Sequence, residues 1–460
     1  MMEEIVLDSR RKKELTSKLW TLSYPSIIAY SLQAFYDLID MMWVGKISKE
    51  AIGGVTLFST IYGLFTVLNE IAGSSSVSMI SQSYGRKTEE RTQRISEQTI
   101  SFKIVLALMT AILLLIFINP LLNLYSDDAV VKQAALDYGM IRIFALPIAF
   151  SSYSINTIFR CTGDSKTPMK IMVVASIGNL IFDPIFMFPS IRIGSLTIPG
   201  LNLGVFGAGL ATVIFNALSF TIGFIILLRG RKDISISFKG LLRLDKEIDL
   251  QLLSIGLPAG LQLLVRQGFN ALLMLFITTY GTLALTVMGL GAKLMMFGFT
   301  PIIGFIFAGS TLVGHALGRD NIEEACFLTR VSTFIISGLI SIFAAMLILF
   351  PKSFLGIFTP DTEVLAAGTP MLRWISAAII ITSIGSGMRI AFSGSGYNRP
   401  ILVSTLVSRW AVQLPLMYVL VNIMQVDMDS IWISFLIAEI ADLSVIIYYY
   451  RRGDWKLKRV

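Results

Sequence analysis

Long apolar stretches alternate with short polar segments along the whole chain. Each stretch approaches or exceeds the roughly 20 apolar residues that a helix needs to cross the core of a bilayer. The segments between them are rich in charged and turn-forming residues, as at 84–87 and 163–166. Runs of this length indicate helices, because the strands of a membrane barrel alternate polar and apolar residues. The pattern predicts an all-α membrane protein with twelve transmembrane helices, at about 19–44, 52–79, 99–119, 133–159, 168–188, 204–228, 252–278, 283–316, 329–350, 366–391, 400–424 and 431–450.

The composition supports a membrane protein and excludes several other classes. Hydrophobic residues make up 54% of the chain and charged residues 15%, whereas soluble domains carry roughly 25% charged residues. These figures exclude a water-soluble globule, a disordered chain, a collagen-like fibre and a disulfide-rich secreted scaffold. One histidine and two cysteines argue against a zinc or haem site. We therefore expect no cofactor beyond a possible small cation.

The positive charge of the chain follows its predicted topology. If both termini are inside, the inner segments hold 26 Lys and Arg residues and the outer segments hold 5. The positive-inside rule then predicts cytoplasmic termini in a cell membrane. The net charge of +8 is therefore expected to attract anionic lipid and not nucleic acid. The first apolar stretch lacks a small-residue cleavage site, so we expect it to remain in the mature chain.

The two halves of the sequence align when the chain is shifted by 233 residues. The coincident positions are Pro25 with Pro258, Gly85-Arg86 with Gly318-Arg319, and Gly163 with Gly396. Prolines and turn glycines coincide when the same backbone turns recur. Six helices per half give a parallel repeat, whose halves are related by an axis along the membrane normal. We predict an N-terminal lobe (1–228), a basic cytoplasmic linker (229–250) and a C-terminal lobe (251–460).

Polar residues form a stripe on the first predicted span. Gln33, Asp37 and Asp40 stand at i, i+4 and i+7, which places them on one helical face, with Tyr36 beside them. A carboxylate in hydrocarbon costs roughly 2.5–3.5 kcal/mol on insertion scales, so an acid within a span indicates function. Pro25 lies earlier in the same span and removes a backbone hydrogen bond. A helix bent there could change its geometry when a carboxylate changes protonation.

The fifth and sixth predicted spans add a second polar group. Asn179 and Asp183 are four residues apart and so share a face, and Thr212 lies in the next span. Two carboxylates from different helices could converge here and bind and release a proton. The same oxygens could instead coordinate Na⁺. The alternative is that the acids of the first span lie at a helix end in contact with water.

The second half lacks this set of acids. The repeat places Arg266 opposite Gln33 and Asn270 opposite Asp37, so ion coupling is expected in the first half. Arg266 could line a cavity and favour anionic or lipid-like groups, or it could pair with a neighbouring helix. We expect Glu439 and Asp442, in the last span, to make interhelical or interfacial contacts.

Several motifs resemble those of the MATE (multidrug and toxic compound extrusion) transporters, and the resemblance covers essentially the whole chain. The order of the acids is most similar to the prokaryotic DinF-like branch. The chain departs from the NorM-like branch, which has acids in its seventh and tenth helices. The motifs are LSYPSIIAYSLQAFYDLIDMMWVGKIS (22–48), AIGGV (51–55), SYGRK (83–87), FRCTGDSKTPMK (159–170) and GNLIFDPIFMF (178–188).

The resemblance implies a V-shaped pair of six-helix lobes that exports drugs by alternating access, driven by H⁺ or Na⁺. It implies ion-coupling roles for Asp40, Asn179, Asp183 and Thr212, and a hinge at Pro25. The cavity positions that it implies are Gln33, Tyr36, Tyr138 and Asn156, to which we add Asp37 and Arg266 as candidates from the polar pattern.

The predicted function is that of a cation-coupled multidrug efflux antiporter for amphipathic, often cationic, organic compounds. We expect a monomer whose partners are these small molecules and membrane lipids. The alternative within the same superfamily is a flippase of lipids or lipid-linked oligosaccharides, which would need a strongly cationic cavity. An enzyme is not expected, because the sequence contains no HExxH motif, phosphate-binding loop or recognisable nucleophile–base pair.

Overall fold

The computed structural model describes residues 8–193, 196–231 and 234–460, which are predominantly helical. Lys232, one of the basic residues of the predicted linker 229–250, lies outside these residues. The elements of the first half are α1 (Ser9–Gly45), α2 (Lys49–Phe65), α3 (Val67–Gly85), α4 (Glu89–Tyr125), α5 (Ala129–Phe144), α6 (Leu146–Cys161), α7 (Lys166–Met187), the antiparallel strands β1 (Ser190–Ile193) and β2 (Leu196–Pro199), α8 (Gly204–Leu228) and the short α9 (Phe238–Leu242).

The second half consists of helices in its described residues. They are α10 (Lys246–Thr278), α11 (Gly281–Gly318), α12 (Ile322–Leu349), α13 (Pro351–Gly356), α14 (Thr362–Ser395), α15 (Arg399–Thr405), α16 (Leu414–Tyr418), α17 (Met428–Ile431) and α18 (Ile433–Arg452). Two π-helical segments, Leu406–Gln413 and Val419–Ile423, follow α15 and α16, and a 3₁₀ turn at Asp454–Lys456 follows α18.

The helices agree with the predicted spans. Within the described part, nine helices are long and apolar enough to cross a membrane, and two bent pairs qualify when each is taken as one span. The pairs are α2 with α3, bent by 49°, and α5 with α6, bent by 58°. The polar stripe of α1 lowers its hydropathy, but its 37 residues extend about 55 Å, enough for a twelfth crossing. The twelve predicted spans thus correspond to these eleven and α1.

Contacts between Cα atoms divide the chain into two compact units. Unit N is Ile28–Ser254, and unit C contains the described residues up to Ile27 together with Ile255–Val460. Helix α1 contributes to both. The predicted lobe and linker boundaries at 228 and 251 remain a prediction, since the contact grouping divides α1 instead of following the sequence halves.

The predicted repeat is visible in the backbone. Gly163 and Gly396, 233 residues apart, have φ angles of +76° and +77°, a conformation that glycine adopts at little cost. The non-glycine residues Lys87 and Asp320, also 233 apart, have φ angles of +60° and +57°. The same turns therefore follow equivalent helices in the two halves.

Unit N is held together by close packing around α2 and α5. A Cβ atom on Gly54 of α2 would lie 2.7 Å from the backbone nitrogen of Ala135 in α5, and one on Gly139 of α5 would lie 2.2 Å from the ring of Phe58. Small residues let membrane helices approach closely enough for dispersion contacts to hold them. Phe58 itself is fully buried in the unit N core.

Unit C has its own core, centred on α11, α12 and α14. Phe305, Ile336, Leu372 and Ile390 are among its buried residues. The acids predicted to make interhelical contacts pair with arginines inside this unit. Arg389 Nη2 lies 2.5 Å from Asp442 Oδ2, and Arg409 pairs with Glu439.

Candidate functional site

The side chains of Asp40 and Asp183 meet inside unit N. Asp40 lies near the end of α1 and is 8% exposed, and Asp183 lies in α7 and is 1% exposed. The two carboxyl groups are close enough to interact directly. A hydrogen bond between them needs a proton on one of them, because an ionised carboxylate can only accept. The two acids that sequence reasoning placed on different helices therefore form one pair that can hold a proton.

Asn179 connects this pair to α8. It lies one turn before Asp183 in α7, so both side chains share a face. In the amide orientation that satisfies its neighbours, Asn179 Nδ2 donates to Asp183 Oδ2 at 2.5 Å and to Oδ1 at 2.9 Å. Its Oδ1 accepts from the backbone nitrogen of Thr212 at 3.2 Å. The Thr212 hydroxyl donates to the carbonyl of Ala208 at 3.0 Å, so Thr212 contacts the cluster through its backbone.

A cation that the sequence analysis did not select lies beside the acids. Arg142 in α5 donates to the hydroxyl oxygen of Tyr138 at 2.5 Å, and its guanidinium lies 4.8 Å from the centroid of the Tyr138 ring and 5.2 Å from that of Tyr62. Its charge acts on Asp40 and on Asp37. An arginine within the fourth predicted span (133–159) was the available signal, because an ionisable residue at membrane depth needs a partner.

A cavity of about 500 Å³ opens among the helices of unit N. Of the predicted cavity positions, Gln33, Tyr36, Asp37 and Asn156 line it, as do Asn179 and Thr212 of the predicted coupling set. Asp183 and Tyr138 are behind this lining, and each hydrogen-bonds to a lining residue, Asn179 and Arg142 respectively. The cavity and the acid pair are therefore adjacent and share Asn179.

Aromatic and cationic groups complete the cavity wall. Tyr30, Tyr62 and Tyr153 line it, and Arg160 in α6 is 4% exposed with its guanidinium 5.5 Å from the ring of Tyr30. The predicted span 133–159 ends before Arg160, which places this residue in an inner loop. The structure instead places it in the last turn of α6, because that helix continues to Cys161.

A buried lysine lies behind the same wall. Lys103 in α4 is fully buried, and its Nζ is 4.1 Å from the centroid of the Tyr153 ring. Glu70 in α3 is close, since Lys103 Nζ and Glu70 Oε2 would each lie 3.6 Å from a Cβ atom on Gly73. Unit N thus contains two arginines in the cavity lining, Arg142 and Arg160, and a lysine against it.

Two predicted site residues belong neither to the cavity lining nor to the acid pair and its neighbours. Arg266 is an exposed residue of α10 in unit C, and Pro25 is buried within α1 in the part that belongs to unit C. Neither contributes to the wall described above, and the predicted roles of Arg266 in substrate binding and of Pro25 as a hinge remain predictions.

Comparison with known proteins agrees with this architecture. The MatE family profile matches the chain twice, over residues 25–185 and 258–419, so the two matches begin 233 residues apart. The probable multidrug resistance protein YoeA of Bacillus subtilis is 24% identical, with 100% of this chain and 98% of YoeA covered. The probable multidrug resistance protein NorM of Thermotoga maritima is 23% identical, with 97% and 94% covered.

Solved structures show the same fold. A MOP superfamily transporter from Pyrococcus furiosus, described as having a binding pocket of reverse polarity that suggests a different function, superposes with a TM-score of 0.88 at 22% identity. A multidrug resistance MATE family transporter in an outward-facing conformation superposes with a TM-score of 0.87 at 22% identity. Both alignments cover 97% of each chain. The chain belongs to the MATE family, whose members are membrane transporters and not enzymes.

Proposed function

We propose that the protein is a proton-coupled antiporter that exports drug-like amphipathic molecules. The observation that carries the proposal is the close pair of Asp40 and Asp183, joined through Asn179 to a cavity large enough for a small organic molecule. Entry of a proton onto the pair and binding of substrate in the neighbouring cavity would be coupled, because the two sites share a wall residue. The names of the relatives YoeA and NorM support drug export.

The geometry favours H⁺ over Na⁺ as the coupling ion. Two carboxyl groups in direct contact can share one proton, whereas a bound Na⁺ would need several oxygen ligands aimed at one point. Arg142 already places a fixed positive charge near these acids. Two unit charges repel strongly in a low-dielectric interior, so Arg142 opposes binding of a metal cation. A proton adds to the pair without needing a separate coordination site.

The cavity supports recognition of aromatic amphipaths. Tyrosine rings offer faces for stacking, and the amides of Gln33 and Asn156 offer hydrogen bonds. Asn156 Oδ1 is buried and has no hydrogen-bond partner among the described residues, so a substrate donor would satisfy it. Asp37 is the carboxylate among the described lining residues and would pair with the amine of a cationic drug.

A second candidate is a flippase of lipid-linked anions. The observation that favours it is the presence of two arginines, Arg142 and Arg160, in the cavity wall against the single carboxylate of Asp37. Guanidinium groups bind phosphate and carboxylate groups bidentately. Complementation of a strain that lacks its flippase would support this candidate, and failure to complement together with dye export would exclude it.

The remaining parts of the proposal concern location and assembly. We infer that the protein resides in the cell membrane as a monomer with both termini in the cytoplasm. The excess of basic residues in the predicted inner segments supports this orientation. Labelling of single cysteines introduced at exposed loop positions, from each side of the membrane, tests it.

The function is tested in proteoliposomes that contain the purified protein. Liposomes with an acidic lumen, or with a lumen loaded with Na⁺ at equal pH, are diluted into a fluorescent cationic dye. Wild-type protein is expected to accumulate dye only when the lumen is acidic. Asp40→Asn and Asp183→Asn should reduce accumulation to the level of empty liposomes.

The control variant is Asp127→Asn, which removes an exposed carboxylate of the segment between α4 and α5. It should transport at the wild-type rate, and all variants should retain a cooperative thermal transition. Normal transport by both carboxyl variants would reject the proposal. Accumulation driven by Na⁺ alone would reject proton coupling but not antiport.

A further inference from the structure

A second large pocket lies on unit N, away from the transport cavity. It has a volume of about 570 Å³ and is formed by the first turns of α4 and by the segment 237–243, which includes α9. We call it the linker pocket. Four basic side chains line it, namely Arg91, Arg94, Lys239 and Arg243, and two acidic ones, Glu90 and Glu97. The other lining residues are Gln93, Gln98, Ser237 and Gly240.

The wall of the linker pocket is firmly built. Glu97 accepts hydrogen bonds from the backbone nitrogen of Ser237 at 2.7 Å and from its hydroxyl at 3.0 Å. Ser101 Oγ donates to the carbonyl of Leu241 at 2.6 Å. A Cβ atom on Gly240 would lie 1.9 Å from Glu97 Oε2, so the carboxylate sits directly against the backbone of α9. These bonds fix α9 to α4 without any ligand.

The same bonds leave an excess of positive charge. Glu97 is engaged by Ser237, and Arg94 is paired with Asp245 at 2.6 Å. Arg91, Lys239 and Arg243 form no ion pair with any described residue. The carboxylates of Glu90 and Glu97 offset two of these three charges, so the lining keeps a net positive charge and favours an anion.

Apolar side chains lie directly beside these cations. Phe238 is 64% exposed, Leu242 85% and Leu244 67%. The ring of Phe238 lies 5.7 Å from that of Phe224, one turn before the end of the spanning helix α8. A spanning helix ends near the edge of the hydrocarbon, so α9 lies at the boundary between lipid and water. Exposed apolar residues are stable there because they face acyl chains.

We propose that the linker pocket binds the phosphate headgroup of an anionic phospholipid. Arg91, Lys239 and Arg243 would contact the phosphate, and the acyl chains would lie along Phe238, Leu242 and Leu244. Basic pockets on the cytoplasmic side of membrane proteins bind anionic headgroups through this combination of charge and apolar surface. The apolar border distinguishes the lipid from free phosphate. The inference is independent of the transported substrate and of the coupling ion.

The test measures lipid binding to the purified full-length protein. The protein is mixed with phosphatidylglycerol vesicles, with phosphatidylcholine vesicles, or with phosphatidylcholine vesicles and inorganic phosphate. The lipid molecules that it retains are then counted by native mass spectrometry. Phosphatidylglycerol should bind and should raise the thermal transition, whereas phosphate should do neither. The triple variant Arg91→Gln, Lys239→Gln, Arg243→Gln should lose this binding. Lys239→Gln alone should weaken it by about fivefold, as expected for one cation near a lipid surface.

Two further variants separate a built site from general attraction. Arg10→Gln, Lys13→Gln, Lys458→Gln removes the same charge from exposed positions of unit C and should bind lipid normally. Leu242→Gln leaves every charge in place and should weaken lipid binding while the protein stays folded. The proposal would be overturned if both triple variants lost lipid binding equally, or if the linker-pocket triple variant and Lys239→Gln bound lipid as the wild type does. It would also be overturned if inorganic phosphate had the same effect as phosphatidylglycerol.

Discussion

Replacing Asn179 by alanine tests whether the cavity wall controls the acid pair. The change removes two hydrogen bonds to the Asp183 carboxylate, at 2.5 and 2.9 Å, and the acceptor for Thr212 N at 3.2 Å. A hydrogen bond to a charged group contributes about 1.5–3 kcal/mol. Two hydrogen bonds to one carboxylate are not additive, so we expect the ionised form of Asp183 to lose about 1.5–3 kcal/mol of stabilisation in total.

The loss acts mainly on the charged form of Asp183, because a neutral carboxyl group accepts hydrogen bonds more weakly than a carboxylate does. Asn179→Ala should therefore make the pair hold its proton more tightly. Since about 1.4 kcal/mol corresponds to one pH unit, the pH at which transport is half-maximal should rise by about one to two units. Release of the proton becomes the slow step at neutral pH, and the rate there should fall.

The assay is dye accumulation in proteoliposomes, measured with a constant pH difference while both compartments are moved together along the pH scale. Asn216→Ala is the matched control, because Asn216 also lines the cavity but makes no hydrogen bond to Asp183 in the described part of the chain. It should change the rate without moving the pH profile. A lowered rate with an unmoved profile for Asn179→Ala, or an equal shift in the control, would contradict the reasoning.

Three other changes test separate parts of the structure. Arg142→Gln removes the fixed charge beside the acids, so Na⁺ should gain the ability to drive dye accumulation, an ability that we expect the wild-type protein to lack. Transport with no Na⁺ response would show that Arg142 does not set the ion preference. Gly54→Ala places a methyl group 2.7–2.8 Å from backbone atoms of α5, which cannot rotate away. It should destabilise the protein by about 1–3 kcal/mol and lower its thermal transition. Gly63→Ala, whose methyl group would have no atom within 4 Å, should not lower it. Burial raises the pKa of Asp164, between α6 and α7, but the hydrogen bonds from Arg231 and Thr167 outweigh this effect and hold the pKa below its usual value. The contribution of Asp164 to stability is therefore present at neutral pH and is lost as the pH falls below the ordinary carboxyl range. Asp164→Asn should lower the thermal transition at pH 7 and leave it nearly unchanged in strong acid.

The membrane spans and the repeat could be predicted because lipid imposes a simple rule. Every backbone group in hydrocarbon must be hydrogen-bonded within a helix, so run length alone locates the spans. The bends were not predictable from run length. Pro147, in the first turn of α6, cannot donate to the carbonyl of Ile143, yet α4 contains Pro120 and runs on from Glu89 to Tyr125. Which proline interrupts a helix depends on the helices packed around it.

The coupling residues could be predicted in part. Helical spacing placed Asn179 and Asp183 on one face, and the family resemblance selected Asp40, but only coordinates show that Asp40 and Asp183 lie close together. Arg142 was missed because a single arginine within a predicted span does not reveal which helix it faces. Arg160 was assigned to a loop because the predicted span ended at 159, whereas α6 continues for two more residues.

The two units use buried acids in different ways, and this difference explains why exchange is expected in unit N. In unit C, Asp442 is held by Arg389 at 2.5 Å and Glu439 by Arg409. Removing one partner of a buried salt bridge is strongly destabilising, so these acids hold helices of unit C together. In unit N, Asp40 and Asp183 interact with each other, and Arg142 donates to Tyr138. A proton could therefore enter or leave that pair without breaking a salt bridge to an arginine. We therefore expect proton exchange at the acid pair of unit N and a structural role for the acids of unit C.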